Sequence, residues 1–356
     1  MEMIERGEYA DYVNYRNALR SSSRTMHLIK VIDYGDHVYT TNITIGTPAQ
    51  QFAVVVDTGS AFLWIPGNDF CNSEKIFEPF ILILQTRRIV KPVLLNESMK
   101  TFSASCGAGH KFKSESSSTF MGSDRNWTMK YGTGKAEGVL GTDIVKDGVI
   151  ASQCDGILGL GLALPILKVA PVLINAINQK LLDKPVFTIW LQHQGTQAGS
   201  SGGLITYGAV DDKNCGPVIA YEPLISWTHY VFKVITSGSC SYPKEYHAAS
   251  DTGATFIGGP KVIIDQLAKV VGATDLYPIE CDATPPALDI TIGANKYLIH
   301  HVNYIVKIGH NRCFFALFPF ESGGFGPDWI LGGPFMRQFC NIFDIGQQRM
   351  GFAPSL

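Results

Sequence analysis

Two acidic residues carry the chemistry that this sequence offers. Asp57 ends the apolar run Phe52-Ala53-Val54-Val55-Val56 and opens Asp57-Thr58-Gly59-Ser60, while Asp251 follows Ala249-Ser250 and opens Asp251-Thr252-Gly253-Ala254. An ionised carboxylate driven into apolar surroundings is costly unless hydrogen bonds or a second titratable group receive it. Each aspartate is therefore read as the other's partner. Two carboxylates held close cannot both ionise easily, so they share a proton, and one can act as a base toward a water while the other acts as an acid. Such a pair calls for no metal, no cofactor and no covalent nucleophile. One Asp-Thr-Gly is weak evidence, because acidic turns commonly just start loops. Two of them, each followed by apolar residues and later by an apolar-Gly element, form a specific signal.

The elements that must position this pair read as short strands. From Val38 onward, β-branched and aromatic runs are punctuated by Gly, Pro, Asn and Asp, the texture of an all-β chain. Val38–Ile45 is expected as a strand, Gly46-Thr47-Pro48 as its turn, and Gln51–Val56 as the strand that delivers Asp57. Trp127–Leu140 reads as a hairpin with the glycine-rich tip Tyr131-Gly132-Thr133-Gly134, a tip suited to closing over a ligand. Helices are few: Val172–Leu182, stopped ahead of Pro185, and Lys261–Val270. Residues 1–20 read equally as a short amphipathic helix or a frayed tail. Gln192–Gly203, rich in Gly, Ser and Gln, is expected to be a loop at a lobe boundary. Asp155-Gly156-Ile157-Leu158-Gly159 follows the first aspartate and Trp329-Ile330-Leu331-Gly332 the second, which predicts an internal duplication with one site at its dyad. Alone, each Ile-Leu-Gly stretch is ordinary buried strand.

Composition bounds the rest. At 356 residues, with 46% hydrophobic and 17% charged residues, the chain can bury large cores in about two domains. A net charge of -2, a pI near 6.5 and no basic stripe exclude a nucleic-acid footprint and favour peptides or small molecules. Eight cysteines without a C-x-x-C pair point to disulfides rather than zinc. Sequons at Asn42, Asn96 and Asn126 fit an oxidising, secretory setting. Residues 1–20 lack the uncharged apolar core of a signal peptide. Ile76–Leu95 is interrupted by Glu78, Arg87, Arg88 and Lys91, so no membrane helix is expected.

Ile45-Gly46-Thr47-Pro48-Ala49-Gln50, Asp57-Thr58-Gly59-Ser60 with Leu63-Trp64-Ile65-Pro66, Tyr131-Gly132-Thr133-Gly134, Asp155-Gly156-Ile157-Leu158-Gly159-Leu160, Asp251-Thr252-Gly253 and Ile330-Leu331-Gly332 occur in a specific order. Over residues 33–356 the chain resembles the pepsin-like aspartic proteases, peptidase family A1. Leu173-Ile174-Asn175-Ala176-Ile177 and Phe318–Pro327 resemble an invertebrate, nematode-type branch of cathepsin D- or pepsin-type members. The resemblance implies a mainly β, bilobal fold with two pseudo-twofold-related lobes. It implies a partial propeptide-like segment at 1–30, a first lobe at 31–208 and a second at 209–356. It also implies a monomeric, secreted or lysosomal endopeptidase, made as a zymogen, that cleaves polypeptides between large apolar residues at acidic pH. Asp57 and Asp251 would be catalytic, with Thr58 and Thr252 locking the loops together and Gly59 and Gly253 letting backbone approach the carboxylates. Ser60 would hydrogen-bond Asp57. Tyr131, Gly132 and Thr133 would form a flap over substrate, with Tyr131 bonded to Trp64. Cys281–Cys313, Cys71–Cys106 and Cys215–Cys340 would be disulfides, leaving Cys154 and Cys240 as two free thiols or one distant pair.

The chain also departs from the family pattern. Ala254 replaces a Ser or Thr whose hydroxyl would bond Asp251, which predicts a dyad pKa raised by about one unit and a pH optimum less acidic than pepsin's. Gly333 stands where Asp often follows Ile-Leu-Gly. Lys30 is a weak counterpart of the prosegment lysine and reads better as a solvated side chain. Between Asp143 and Asp155 the chain is short by a strand-sized interval, so core strands of the first lobe are expected to be missing there. Residues 76–100, with Phe80-Ile81-Leu82-Ile83-Leu84, are an insertion: a sticky loop, a substitute strand or, as preferred, sequence foreign to the natural product. A catalytically impaired, peptide-binding homologue is the alternative these departures raise.

Overall fold

The computed structural model describes residues 27–67, 110–131, 134–148, 154–163, 170–236, 245–273, 277–308, 312–322 and 326–356. The architecture is mainly β and two-lobed, as expected. Val38–Ile45 and Gln50–Asp57 pair antiparallel from Thr40↔Val55 to Ile45↔Gln50, so the second strand starts one residue earlier than its sequence pattern and runs into Asp57 itself. Gly46 makes the turn at φ +88°, where a Cβ would come within 2.7 Å of Ser117 Oγ. Cys154–Gly159 lies parallel to Gln50–Asp57, with Asp57↔Gly159, and Leu63–Trp64 closes antiparallel on its other side. In the second half, Glu245–Ser250 lies parallel to Trp329–Leu331, with Ser250↔Leu331, and Ile257–Gly259 pairs antiparallel with the latter. The duplication read from the sequence is therefore a duplication of topology: each aspartate leaves a strand beside a parallel Ile-Leu-Gly strand.

One long sheet stitches the halves together. His27–Tyr34 pairs with Ala198–Tyr207, which pairs with Val186–Leu191, which pairs with Phe339–Asp344, which pairs with Arg349–Pro354. The expected loop at 192–203 needs correction here, since Ala198–Gly203 are part of a strand. Its glycines answer to close approach: a Cβ on Gly202 would meet Asp33 N at 2.7 Å, and one on Gly203, at φ +143°, would meet Leu191 Cα at 3.0 Å. Phe187 and Phe343 stack face to face at 4.4 Å beneath this sheet, with Tyr230 edge-on to Phe343 at 4.6 Å.

The helix at Lys261–Val271 matches its pattern, burying Ile263, Ile264, Ala268 and Val271 and ending at Gly272 with φ +79°. The other is shorter than expected: Val172–Asn178 stops before Lys180, whose φ is +58°, rather than continuing to Leu182. The hairpin is longer, with Met121–Tyr131 against Gly134–Thr142 and Tyr131↔Gly134 at the tip. Across the shortened interval, Val145–Asp147 adds to Val38–Ile45 and Gly148 N–H donates to Asn42 O at 3.0 Å. Both described flanks of the interval are thus anchored in the sheet. The disulfides Cys215–Cys340 and Cys281–Cys313 are formed, and among the described residues Cys154 is a free thiol. Cys71, Cys106, Cys240, residues 1–20 and the 76–100 insertion lie outside the described residues. Among the described residues no helix is long and apolar enough to cross a membrane.

Candidate active site

The two acidic turns end strands of two different sheets, and four hydrogen bonds tie them face to face. Thr58 N–H donates to Thr252 Oγ1 at 3.0 Å and Thr252 N–H donates to Thr58 Oγ1 at 3.0 Å. Thr58 Oγ1 in turn donates to Ser250 O at 3.0 Å, and Thr252 Oγ1 to Val56 O at 2.7 Å. Each threonine both gives and accepts across the interface, and both are buried. The lock explains why a hydroxyl is needed at each of these positions, since an apolar residue would leave buried backbone groups unpaired.

The lock sets the carboxylates side by side. A Cβ on Gly59 would fall 2.6 Å from Asp251 Oδ1, and a Cβ on Gly253 would fall 2.6 Å from Asp57 Oδ1, so each carboxylate occupies the space over the opposite glycine. Gly59 N–H donates to Asp57 Oδ1 at 2.9 Å and Gly253 N–H to Asp251 Oδ1 at 2.8 Å. Ser60 Oγ donates to Asp57 Oδ2. Ala254 has no hydroxyl, and its N–H donates to Asp251 O at 3.3 Å. Both carboxyls are buried, and burial pushes both pKa values up. At Asp57 the Ser60 hydroxyl, the Asp251 side chain and the Gly59 N–H oppose that rise. At Asp251 the neighbouring charge of Asp57 adds to it, holding that carboxyl well above the usual range.

A second layer of contacts braces the pair. Leu160 N–H donates to Asp57 O at 2.8 Å and Gly161 N–H to Ser60 O at 2.7 Å, while Tyr230 OH donates to Leu160 O at 2.7 Å. Ser250 Oγ donates to Asn341 Oδ1 at 2.9 Å. Tyr230, Ser250 and Asn341 escaped the sequence reading because no motif marks them; the hydroxyl directly before Asp251 was the available clue. Asp155 is also a positioning group: its buried carboxylate accepts from Ala53 N–H at 2.8 Å and His110 N–H at 2.7 Å, tying the strand of Asp57 to residue 110. Lys30 is exposed on its strand, consistent with a solvated lysine. Gly333 has a physical reason to lack a side chain, because a Cβ would come 2.8 Å from Thr255 O and 2.9 Å from Arg337 Nη1. The backbones of Trp64 and Tyr131 lie in Leu63–Trp64 and Met121–Tyr131. Gly132 and Thr133, and with them the flap tip, fall outside the described residues, as does the expected Tyr131–Trp64 side-chain bond. Among the described residues no group of His, Cys, Asp and Glu is arranged to hold a metal ion.

Comparison with known proteins agrees with this geometry. The family model described as "Eukaryotic aspartyl protease" matches residues 38–152 and 146–355. "Aspartic protease 6" of Caenorhabditis elegans is 45% identical, over 100% of this chain and 92% of the relative. "Aspartic protease 2" of Necator americanus is 32% identical over 99% and 92%, and "Cathepsin D" of Dictyostelium discoideum 28% over 92% and 86%. With a family model covering residues 38–355 in two overlapping matches and a relative this similar along the whole chain, the protein belongs to the eukaryotic aspartyl proteases, the pepsin-like A1 family.

Proposed function

We propose that Asp57 and Asp251 are the catalytic pair of this aspartic endopeptidase and that they hydrolyse peptide bonds through a shared water at acidic pH. The observation that carries the reading is the crossed threonine lock, which leaves each carboxylate over the other loop's glycine. Asp57, which has the Ser60 hydroxyl and the Gly59 N–H on its carboxylate, is the ionised base. Asp251 is the proton-bearing acid. Asp57 removes a proton from the water as its oxygen adds to the scissile carbonyl carbon, and Asp251 gives its proton to the carbonyl oxygen. Collapse of the tetrahedral diol breaks the C–N bond, with a proton passing to the leaving amine.

In this reading Tyr131, Gly132 and Thr133 close over the substrate with Trp64 behind them, and the lobes divide at 31–208 and 209–356. Residues 1–30 act as part of a prosegment of a monomeric zymogen in a secretory or lysosomal compartment, where Asn96 and Asn126 carry glycans. The test is an acid-pH digestion of a denatured protein titrated with a statine-type transition-state analogue. The reading predicts cleavage abolished at one equivalent of inhibitor per chain. Cleavage that persists under saturating inhibitor contradicts it.

A further inference from the structure

The two acidic loops carry their hydroxyls at different places. After Asp57 the order is Ser60-Ala61, whereas after Asp251 it is Ala254-Thr255. Ser60 serves its own carboxylate. Thr255 reaches the other way: its Oγ1 donates to His37 O at 2.9 Å, a residue 218 positions earlier in the turn between His27–Tyr34 and Val38–Ile45.

That acceptor is held rigidly. Asp36, next to His37, is buried with φ +61°. Its N–H donates to Asp33 Oδ1 at 2.8 Å, and its carboxylate receives the N–H groups of Gln194 and Gly195, each at 2.9 Å. His193 Nδ1 lies 2.7 Å from Asp36 Oδ2. Buried Arg337 donates from Nη1 to Asp36 O at 3.0 Å and from Nη2 to Asn303 O at 2.6 Å. Arg337 belongs to the helix Gly333–Gln338, and Gly333 N–H donates to Ala254 O at 3.0 Å. Ala254 and Thr255 are thus gripped from two sides by one buried charged cluster.

We infer that Thr255 is a positioning residue: its hydroxyl pins the Asp251 loop against the Asp36–His37 turn and so orients Asp251, in place of the hydroxyl that position 254 lacks. This rests on the reading of Asp57 and Asp251 as the catalytic pair. The bond joins the loop to the opposite half of the molecule, so its loss lets Asp251 drift relative to Asp57 while the threonine lock stays closed. Misplacement of a reacting group lowers turnover rather than ground-state binding.

The test is steady-state kinetics of the full chain carrying Thr255→Val, which keeps the branched shape and removes the donor. The expected result is a fall in kcat of roughly three- to tenfold, the worth of one hydrogen bond, with KM within about twofold, and recovery in Thr255→Ser. Thr255→Ala carries the same test if valine is not accommodated. An unchanged kcat overturns the inference, as does a rise in KM alone, which would make Thr255 a substrate contact. Infrared titration of the carboxylate bands that vanish in Asp251→Asn reads the same loop without turnover: a shifted midpoint in Thr255→Val supports the inference and an identical midpoint overturns it. A wild-type chain that cleaves nothing overturns the catalytic reading, and the infrared titration then decides the positioning role by itself.

Discussion

Ser60 is where the asymmetry of the two carboxylates originates. Both are buried, and burial raises both; the Ser60 hydroxyl opposes the rise at Asp57, whereas at Asp251 the charge of Asp57 adds to it. Removing that hydroxyl in Ser60→Ala takes away a hydrogen bond to a charged group, so Asp57 protonates more easily. The acid limb of the kcat/KM profile is expected to move up by about one pH unit. Ala254→Ser is expected to move the dyad's higher transition down by a similar amount, and a pH-rate profile unchanged in both variants contradicts the assignment. Both departures at this site, Ala254 and Gly333, were visible in the sequence. The reason for Gly333 was not, because it lies in contacts between residues far apart in the sequence: a Cβ there would meet Thr255 O and Arg337.

The turn that carries Asp33 and Asp36 is the element whose pH behaviour differs most from its residue types. Burial pushes the Asp33 carboxyl up to about 7, and the neighbouring charge of Asp36 adds to the rise. The folded chain therefore holds a proton on Asp33 across a window from the ordinary value of 3.8 to about 7, where the unfolded chain does not. Stability contributed by this site is full below that window and is lost as pH rises through it, by at most ~1.4 kcal/mol per pH unit. At Asp36, burial is outweighed by the His193 and Gln194 hydrogen bonds and by Arg337, which bring its carboxyl down to about 2 and so outside the window. His37, pushed down chiefly by burial, has the opposite sign. Comparing the wild type with Asp33→Asn isolates the Asp33 contribution. The melting midpoint of Asp33→Asn is expected to fall less between pH 4 and pH 7, and parallel curves contradict the account. Strands that alternate or run apolar, such as Val38–Ile45 and Gln50–Asp57, were legible to within a residue. Ala198–Gly203 was not, because its glycines look like a loop locally and are demanded only by Asp33 and Leu191 on neighbouring strands.

At the scale of the whole molecule, one sheet runs through both halves, and a disulfide fastens its strand Phe339–Asp344 to Cys215. Cys215–Cys340 spans 125 residues and Cys281–Cys313 spans 32. Loop-closure entropy makes the first worth roughly 5 kcal/mol and the second roughly 4 kcal/mol. Removal of the Cys215–Cys340 pair as a double alanine variant is expected to lower the urea midpoint more than removal of Cys281–Cys313, all the more because Cys215 and Cys340 are buried; the reverse order contradicts this. Fold class and the acidic pair were legible because the motif order repeats within one chain, and a repeated topology requires both aspartates at equivalent strand ends. The braces were hidden because Tyr230, Asn341 and Thr255 each act across long sequence separations. The central claim is that Asp57 and Asp251 work as one proton-sharing pair. The most direct measurement is the acid-pH kcat of Asp57→Asn, Asp251→Asn and the double variant, with thermal unfolding to confirm that each is folded. The account predicts that either single substitution abolishes cleavage by about four orders of magnitude or more and that the double variant is no worse. Substantial cleavage by a folded single variant would contradict it.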